Sequence, residues 1–114
     1  MNWEIIKEKC PKLFRNGIVF ACGPGWSDLL LDLCIKIEAI LDRNPDNEMF
    51  SVQVKEKYGT LRFYMSIETD EISDLIEEAE ALSSQTCERC GSPGELRGSK
   101  WMEVRCNQCY QERK

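Results

Sequence analysis

Cys87-Glu88-Arg89-Cys90 and Cys106-Asn107-Gln108-Cys109 are two C-x-x-C pairs with fifteen residues between them, a spacing that falls in the range of a four-thiolate zinc site. Each pair can present two sulfurs from one tight turn, and the intervening segment is long enough to return as a hairpin and close a tetrahedron. The chain has no histidine, so Cys87, Cys90, Cys106 and Cys109 would hold Zn²⁺ by sulfur alone. Structural zinc sites fill all four positions with protein ligands, whereas catalytic ones leave a position for water. The pattern therefore predicts a structural zinc ribbon over residues 87–114 and argues against an enzyme. Two disulfides are the alternative, and nothing else in the chain points to the oxidising compartment they need.

Working outward, Gly91-Ser92-Pro93-Gly94 follows the first pair as a turn, and residues 95–97 and 100–104 can pair around Gly98-Ser99. Upstream, Ser83-Ser84-Gln85-Thr86 is a polar joint to a body spanning residues 1–86. That body is expected to be α+β, with helices packed on a small antiparallel β-hairpin sheet. Residues 3–9 read as a short helix capped by Asn2, with apolar Trp3, Ile5 and Ile6, and Pro11 limits it. Residues 11–16 fit another helical turn that buries Leu13 and Phe14, with Gly17 as its left-handed terminus. Cys22-Gly23-Pro24-Gly25 is turn chemistry. Ser27 is the expected N-cap of a long helix ended by Asn44-Pro45-Asp46. Leu30, Leu33, Cys34, Ile37 and Leu41 follow its helical period, Leu29, Leu31 and Ile40 widen the apolar face, and Asp32, Lys36, Glu38 and Asp42 mark the exposed one.

From Phe50 the period changes to two: Phe50, Val52 and Val54, then Leu61 and Phe63, alternate with polar residues around a turn near Gly59. Thr69 caps a second long helix whose inner stripe is Ile72, Leu75, Ile76, Ala79 and Leu82 and whose outer face is acidic.

Charge is unevenly spread. Residues 1–86 carry nine basic and sixteen acidic side chains, a balance of −7, and residues 87–114 carry six and four, a balance of +2. An acidic body repels a phosphate backbone. Hydrophobic content of 42% and charged content of 31% are globular values. The N-terminus places charges where a signal peptide would be apolar, and no apolar run is long enough to span a bilayer, so a cytoplasmic protein with no membrane partner is expected.

Four stretches carry a likeness: Gly25-Trp26-Ser27-Asp28-Leu29-Leu30, the run from Val54 to Tyr64, Cys87 to Gly94, and Trp101 before the last C-x-x-C. In these the chain resembles a family of small bacterial and phage-borne proteins of unassigned function with a C-terminal four-cysteine ribbon. The resemblance implies a phage or prophage accessory protein and supplies no catalytic residue.

Three function classes follow. The first is a non-enzymatic, zinc-stabilised binding protein that recognises a macromolecule, a host protein if the resemblance holds, with an anti-defence or host-takeover inhibitor as one form. If Val52, Val54, Leu61 and Phe63 point inward, Gln53, Lys55, Arg62 and Tyr64 point outward, with Lys57 and Tyr58 at the tip, a surface suited to binding an anion, stacking a base or meeting an acidic partner. An ordinary solvated strand face is the bland alternative. The second class is a nucleic-acid-binding ribbon using Arg89, Arg97, Lys100, Arg105, Arg113 and Lys114. The third, a thiol enzyme using Cys22, lacks a histidine base. Cys10, Cys22 and Cys34 are expected to be structural thiols.

Overall fold

A computed structural model describes residues 3–44, 48–98 and 100–112. The expected Asn2 cap, Pro45 and Asp46 at the helix end, Ser99 in the ribbon turn, and Arg113 and Lys114 lie outside the described residues. The chain is α+β, with α1 (Trp3–Lys9), β1 (Phe20–Ala21), α2 (Ser27–Arg43), β2 (Ser51–Lys57), β3 (Thr60–Met65), α3 (Asp70–Ser83), β4 (Glu95–Arg97), β5 (Glu103–Arg105) and α4 (Asn107–Glu112). No helix among the described residues is long and apolar enough to cross a membrane.

The expected hairpin forms the larger sheet, and β1 adds to it in parallel, with Phe20 opposite Val54 and Ala21 opposite Lys55. The sheet is thus not purely antiparallel. A two-residue run was too short to reveal itself by period. Leu30, Leu33, Cys34, Ile37 and Leu41 of α2 form the centre of the core with Val54, Leu61 and Phe63 of the hairpin and Ile72 and Ile76 of α3. Trp3 stacks on Phe20 at 4.7 Å and Phe14 tilts against it at 5.3 Å, which closes the N-terminal side. Ile5 of α1, however, faces solvent.

Four local expectations are corrected. Ser27 is not the cap of α2: Pro24–Trp26 forms a 3-10 turn that runs into the helix, and the Ser27 hydroxyl donates to the Pro24 carbonyl. Glu38 does not face solvent. It is 7% exposed, and its carboxylate accepts from the Lys12 and Leu13 amides at 3.1 and 2.9 Å, so a residue of α2 caps the turn over residues 11–16. Val52 points outward at 47% exposure, because it is the extra residue of a β-bulge: Ser51 pairs with Met65 and Gln53 with Tyr64. One inserted residue swaps the faces of a strand, so Ser51 takes the inward place. Leu82, on the last turn of α3, is likewise exposed.

Other elements follow the sequence closely. Gly17 has φ +59 and its amide closes on the Phe14 carbonyl. Thr69 accepts from the Ile72 amide and caps α3. The Ser83 hydroxyl, in the segment read as a polar joint, accepts from the Leu61 amide and donates to Glu80 O, while Glu80 accepts from the Phe63 amide. Side chains of α3 thereby occupy the outer edge of β3, where free amides would otherwise invite another strand.

Candidate metal centre

The four cysteines converge because each C-x-x-C turns tightly, the first just after α3 and the Thr86–Pro93 bridge, the second directly after β5. In the first knuckle the Cys87 amide donates to Ser92 O, the Gly91 amide to Cys87 O, and the Glu88 amide to Val104 O on β5. The last bond ties the first knuckle to the second, since Cys106 follows β5 directly. The second knuckle continues into α4, an element with no sequence forecast, whose first turn carries Cys109 inward, with its amide donating to the Cys106 sulfur. β4 and β5 pair antiparallel, Glu95 with Arg105 and Arg97 with Glu103. The second strand is shorter than the expected 100–104.

The sulfurs of Cys87, Cys90, Cys106 and Cys109 all lie within 4.8 Å of one another. A tetrahedron of sulfurs at the zinc distance of 2.3 Å has edges of about 3.8 Å, and the Cys90–Cys106 separation is 3.6 Å. That separation is far beyond a disulfide bond of about 2.05 Å, and all seven cysteines are free thiols. The cluster can therefore hold a metal ion by four sulfurs, at the residues the spacing had singled out.

The thiols share protons unequally. The hydroxyl and amide of Ser92 bring Cys90 down to about 6. Burial works against ionisation of Cys87, but the amides of Cys106, Cys90 and Arg89 outweigh it and hold the thiol below its ordinary range. Burial and the neighbouring sulfurs push Cys109 up to about 12. A set with one ready thiolate and one reluctant thiol binds a divalent cation with proton release, because the metal requires all four deprotonated.

Glu88 lies inside the first knuckle. It joins the metal centre to the body. Its carboxylate accepts from the Gly23 amide and its carbonyl from the Gly25 amide, both at 2.7 Å. Beside it the buried Trp26 donates its indole N–H to Thr86 O at 2.9 Å. Gly25 sits so close that a Cβ there would lie 2.6 Å from the Glu88 carbonyl oxygen and closer still to that of Cys87. The Gly23-Pro24-Gly25 turn is thus shaped by contact with a knuckle more than sixty residues away. A second contact joins the hairpin tip to the ribbon, where Gly59 packs on Leu96, Met102 and Glu103.

The hairpin surface residues are placed as follows. Gln53 pairs with Tyr64 and Lys55 with Arg62, so each pair sits side by side across the strands. Gln53 and Tyr64 are exposed, Lys55 and Arg62 half-buried, and Lys57 and Tyr58 exposed at the tip. Like charges directly opposite one another are unfavourable in a sheet. The Arg62 guanidinium turns aside to the Thr60 hydroxyl and the Leu61 carbonyl.

Of the ribbon cations, Arg97 donates to Arg105 O and Asn107 and lies over the Tyr110 ring, while Arg105 pairs with the buried Glu103. Lys100 is exposed. Cys22 is half-buried, and burial, then Glu88 and Glu56, push its thiol up to about 12. Cys10 and Cys34 are buried and also raised. None of the three is in the thiolate form that nucleophilic chemistry needs.

No family model, no curated protein and no solved structure matches the chain.

Proposed function

We propose that the chain is a non-enzymatic, cytoplasmic binding protein in which the four cysteines hold a structural Zn²⁺ and the hairpin recognises a protein partner. The observation that carries this reading is the donor set: four sulfurs within one coordination sphere leave no position for a substrate or an activated water. Thiolates of this number and arrangement favour zinc among the common metals. Support for binding comes from Lys55 and Arg62, which the register sets opposite each other on one face of the hairpin, two cations available to an acidic partner. The likeness of the sequence to small phage-borne proteins is what points to a host protein as that partner, with an inhibitor of host defence as the form the reading takes.

The alternative, a nucleic-acid-binding zinc-ribbon regulator, draws less support, since Arg97 and Arg105 spend their donors within the ribbon.

The test is a tagged pull-down from bacterial lysate with and without nuclease, after elemental analysis for about one zinc per chain. A nuclease-resistant protein captured by the wild type and lost when Lys55, Arg62 and Tyr64 are replaced together is expected. Capture of nucleic acid that disappears on nuclease or added salt would transfer the function to the ribbon.

A further inference from the structure

A groove of about 240 Å³ opens between the hairpin tip and the ribbon, lined by Glu56, Tyr58, Lys100, Trp101 and Met102. Its walls come from two parts of the chain, and each contributes an aromatic ring that the core does not use: Tyr58 is 72% and Trp101 68% exposed. Tyr58 is also strained. Tyr58 and Gly59 are the two central residues of the hairpin turn, with φ of 54° and 89°, which is the type I′ geometry whose first position favours Asn, Asp or Gly. A tyrosine there is held in the left-handed region without any gain in packing, and strain of this kind concentrates where a side chain is needed for contact.

The lining itself carries one acid and one base, Glu56 and Lys100, and Lys57 beside the Tyr58 ring tips the local balance to positive. The Glu56 carboxylate is turned to the Gly59 amide at 2.7 Å. Lys57 lies 5.6 Å from the Tyr58 ring centre, and Lys100 stands on the opposite wall. Residues 51–65 carry Lys55, Lys57 and Arg62 against Glu56 alone, a balance of +2 on a body whose overall balance is −7. The tip is thus a cationic spot with two open aromatic faces. Two lysines beside the rings are too few to track a phosphate backbone, whose binding grows with each cation that neutralises a phosphate. They suffice for a segment with one or two carboxylates.

We propose that this groove clamps an extended acidic segment of the protein partner, which places a proline or aromatic side chain between Tyr58 and Trp101 and its carboxylates against Lys57 and Lys100. The proposal rests on the reading of the chain as a protein-binding module and locates the contact at the tip.

The probe is a ten-residue peptide of Asp, Pro and Phe, titrated into the full zinc-loaded chain while acrylamide quenching of tryptophan fluorescence is followed. Trp26 is buried and Trp3 is half-buried against Phe20, so the titration is repeated on Trp101→Phe, and the protection this variant loses is the part that reports on Trp101. The peptide should protect Trp101, and protection should weaken with salt. Tyr58→Asn installs the favoured Asn-Gly turn; it should leave Tm unchanged or higher while weakening the peptide at least tenfold. A ring that merely supported the fold would give the reverse, a lower Tm with unchanged binding. Equal binding by Tyr58→Asn, or no protection at millimolar peptide, overturns the proposal. So does protection by a ten-nucleotide oligothymidylate in the peptide's place. A partner that Tyr58→Asn still captures in the pull-down would remove the groove and leave the protein-binding reading standing, whereas failure of the wild type to capture any protein would remove both.

Discussion

Gly25→Ala should weaken zinc binding although residue 25 touches no sulfur. A Cβ at this position would stand 2.6 Å from the Glu88 carbonyl oxygen, with the Cys87 carbonyl nearer still, where a relaxed contact needs well over 3 Å. Both obstacles are backbone, so the loop and the first knuckle must separate. Separation breaks the Gly25–Glu88 bond of 2.7 Å and strains the Gly23–Glu88 and Trp26–Thr86 bonds beside it. A neutral hydrogen bond is worth about 1 kcal/mol net and one to a charged group about 1.5–3, so the loss is roughly 3 kcal/mol. The part of this that falls on the folded knuckle is shared with metal binding, which places the loss of zinc affinity at up to about a hundredfold, at 1.4 kcal/mol per decade. Competition against a chromophoric chelator measures the affinity, and urea denaturation the stability. Gly17→Ala is the control: its φ of +59 strains any side chain, yet nothing lies within 4 Å of the added Cβ, so it should cost about 1 kcal/mol and leave zinc affinity unchanged. Wild-type zinc affinity and urea midpoint in Gly25→Ala would refute the coupling of knuckle to body.

Three further outcomes are expected. Glu38→Ala leaves the Lys12 and Leu13 amides without their acceptor and should cost about 3 kcal/mol in urea unfolding, a charge-assisted loss, with Glu38→Gln milder; equal midpoints for Ala and wild type would show that the cap contributes nothing. Burial raises the Glu80 carboxyl above its ordinary 4.5, Glu68 and Glu77 push the same way, and the Phe63 amide and Arg62 oppose them. The native state then holds this proton to higher pH than the unfolded chain, so the group favours folding as pH falls through the interval just above 4.5 and loses that contribution as pH rises through it. Glu80→Gln should flatten this dependence, and a midpoint whose pH profile is unaltered would rule Glu80 out as its source. Chelating the metal should abolish hydrogen-exchange protection over residues 87–109 first while the α2 core stays protected, and simultaneous loss in both would show one cooperative unit.

What the sequence reveals depends on how local the physics is. The metal site is legible because its chemistry demands one residue type at a fixed spacing, and the Thr69 cap because it lies within one turn of the amide it serves. Glu38 is illegible for the opposite reason. A glutamate among helical polar positions reads as solvated, and its burial is decided by the Lys12 and Leu13 amides twenty-five residues and more away. Val52 fails similarly: strict alternation predicts it inward, and a one-residue bulge, fixed by how β2 meets β3 and the Leu13 carbonyl, turns it out. Tyr58-Gly59 was visible as a turn, but the meeting of Tyr58 with Trp101 depends on how the ribbon docks.

That docking gives the metal a reach beyond its own ligands. The main core contains no side chain from residues 87–109, and among the described residues Val104 is the one fully buried aliphatic side chain of the ribbon. So little apolar burial does not offset the ordering of the segment, and a metal ion held by the four sulfurs would supply most of what holds it, as metal does in other small modules. The docking contacts at Gly25 and Gly59 then pass that order to the surface. The hairpin keeps Tyr58 in place from the body's own core, but the position of Trp101 depends on β4, β5 and the two knuckles that close them. A chain without metal retains one wall of the groove and loses the other, so any ligand held between the two rings binds as a function of metal occupancy. By linkage a ligand held there must also raise the apparent metal affinity by the same factor, so under the proposed function zinc occupancy conditions recognition without the metal touching the partner.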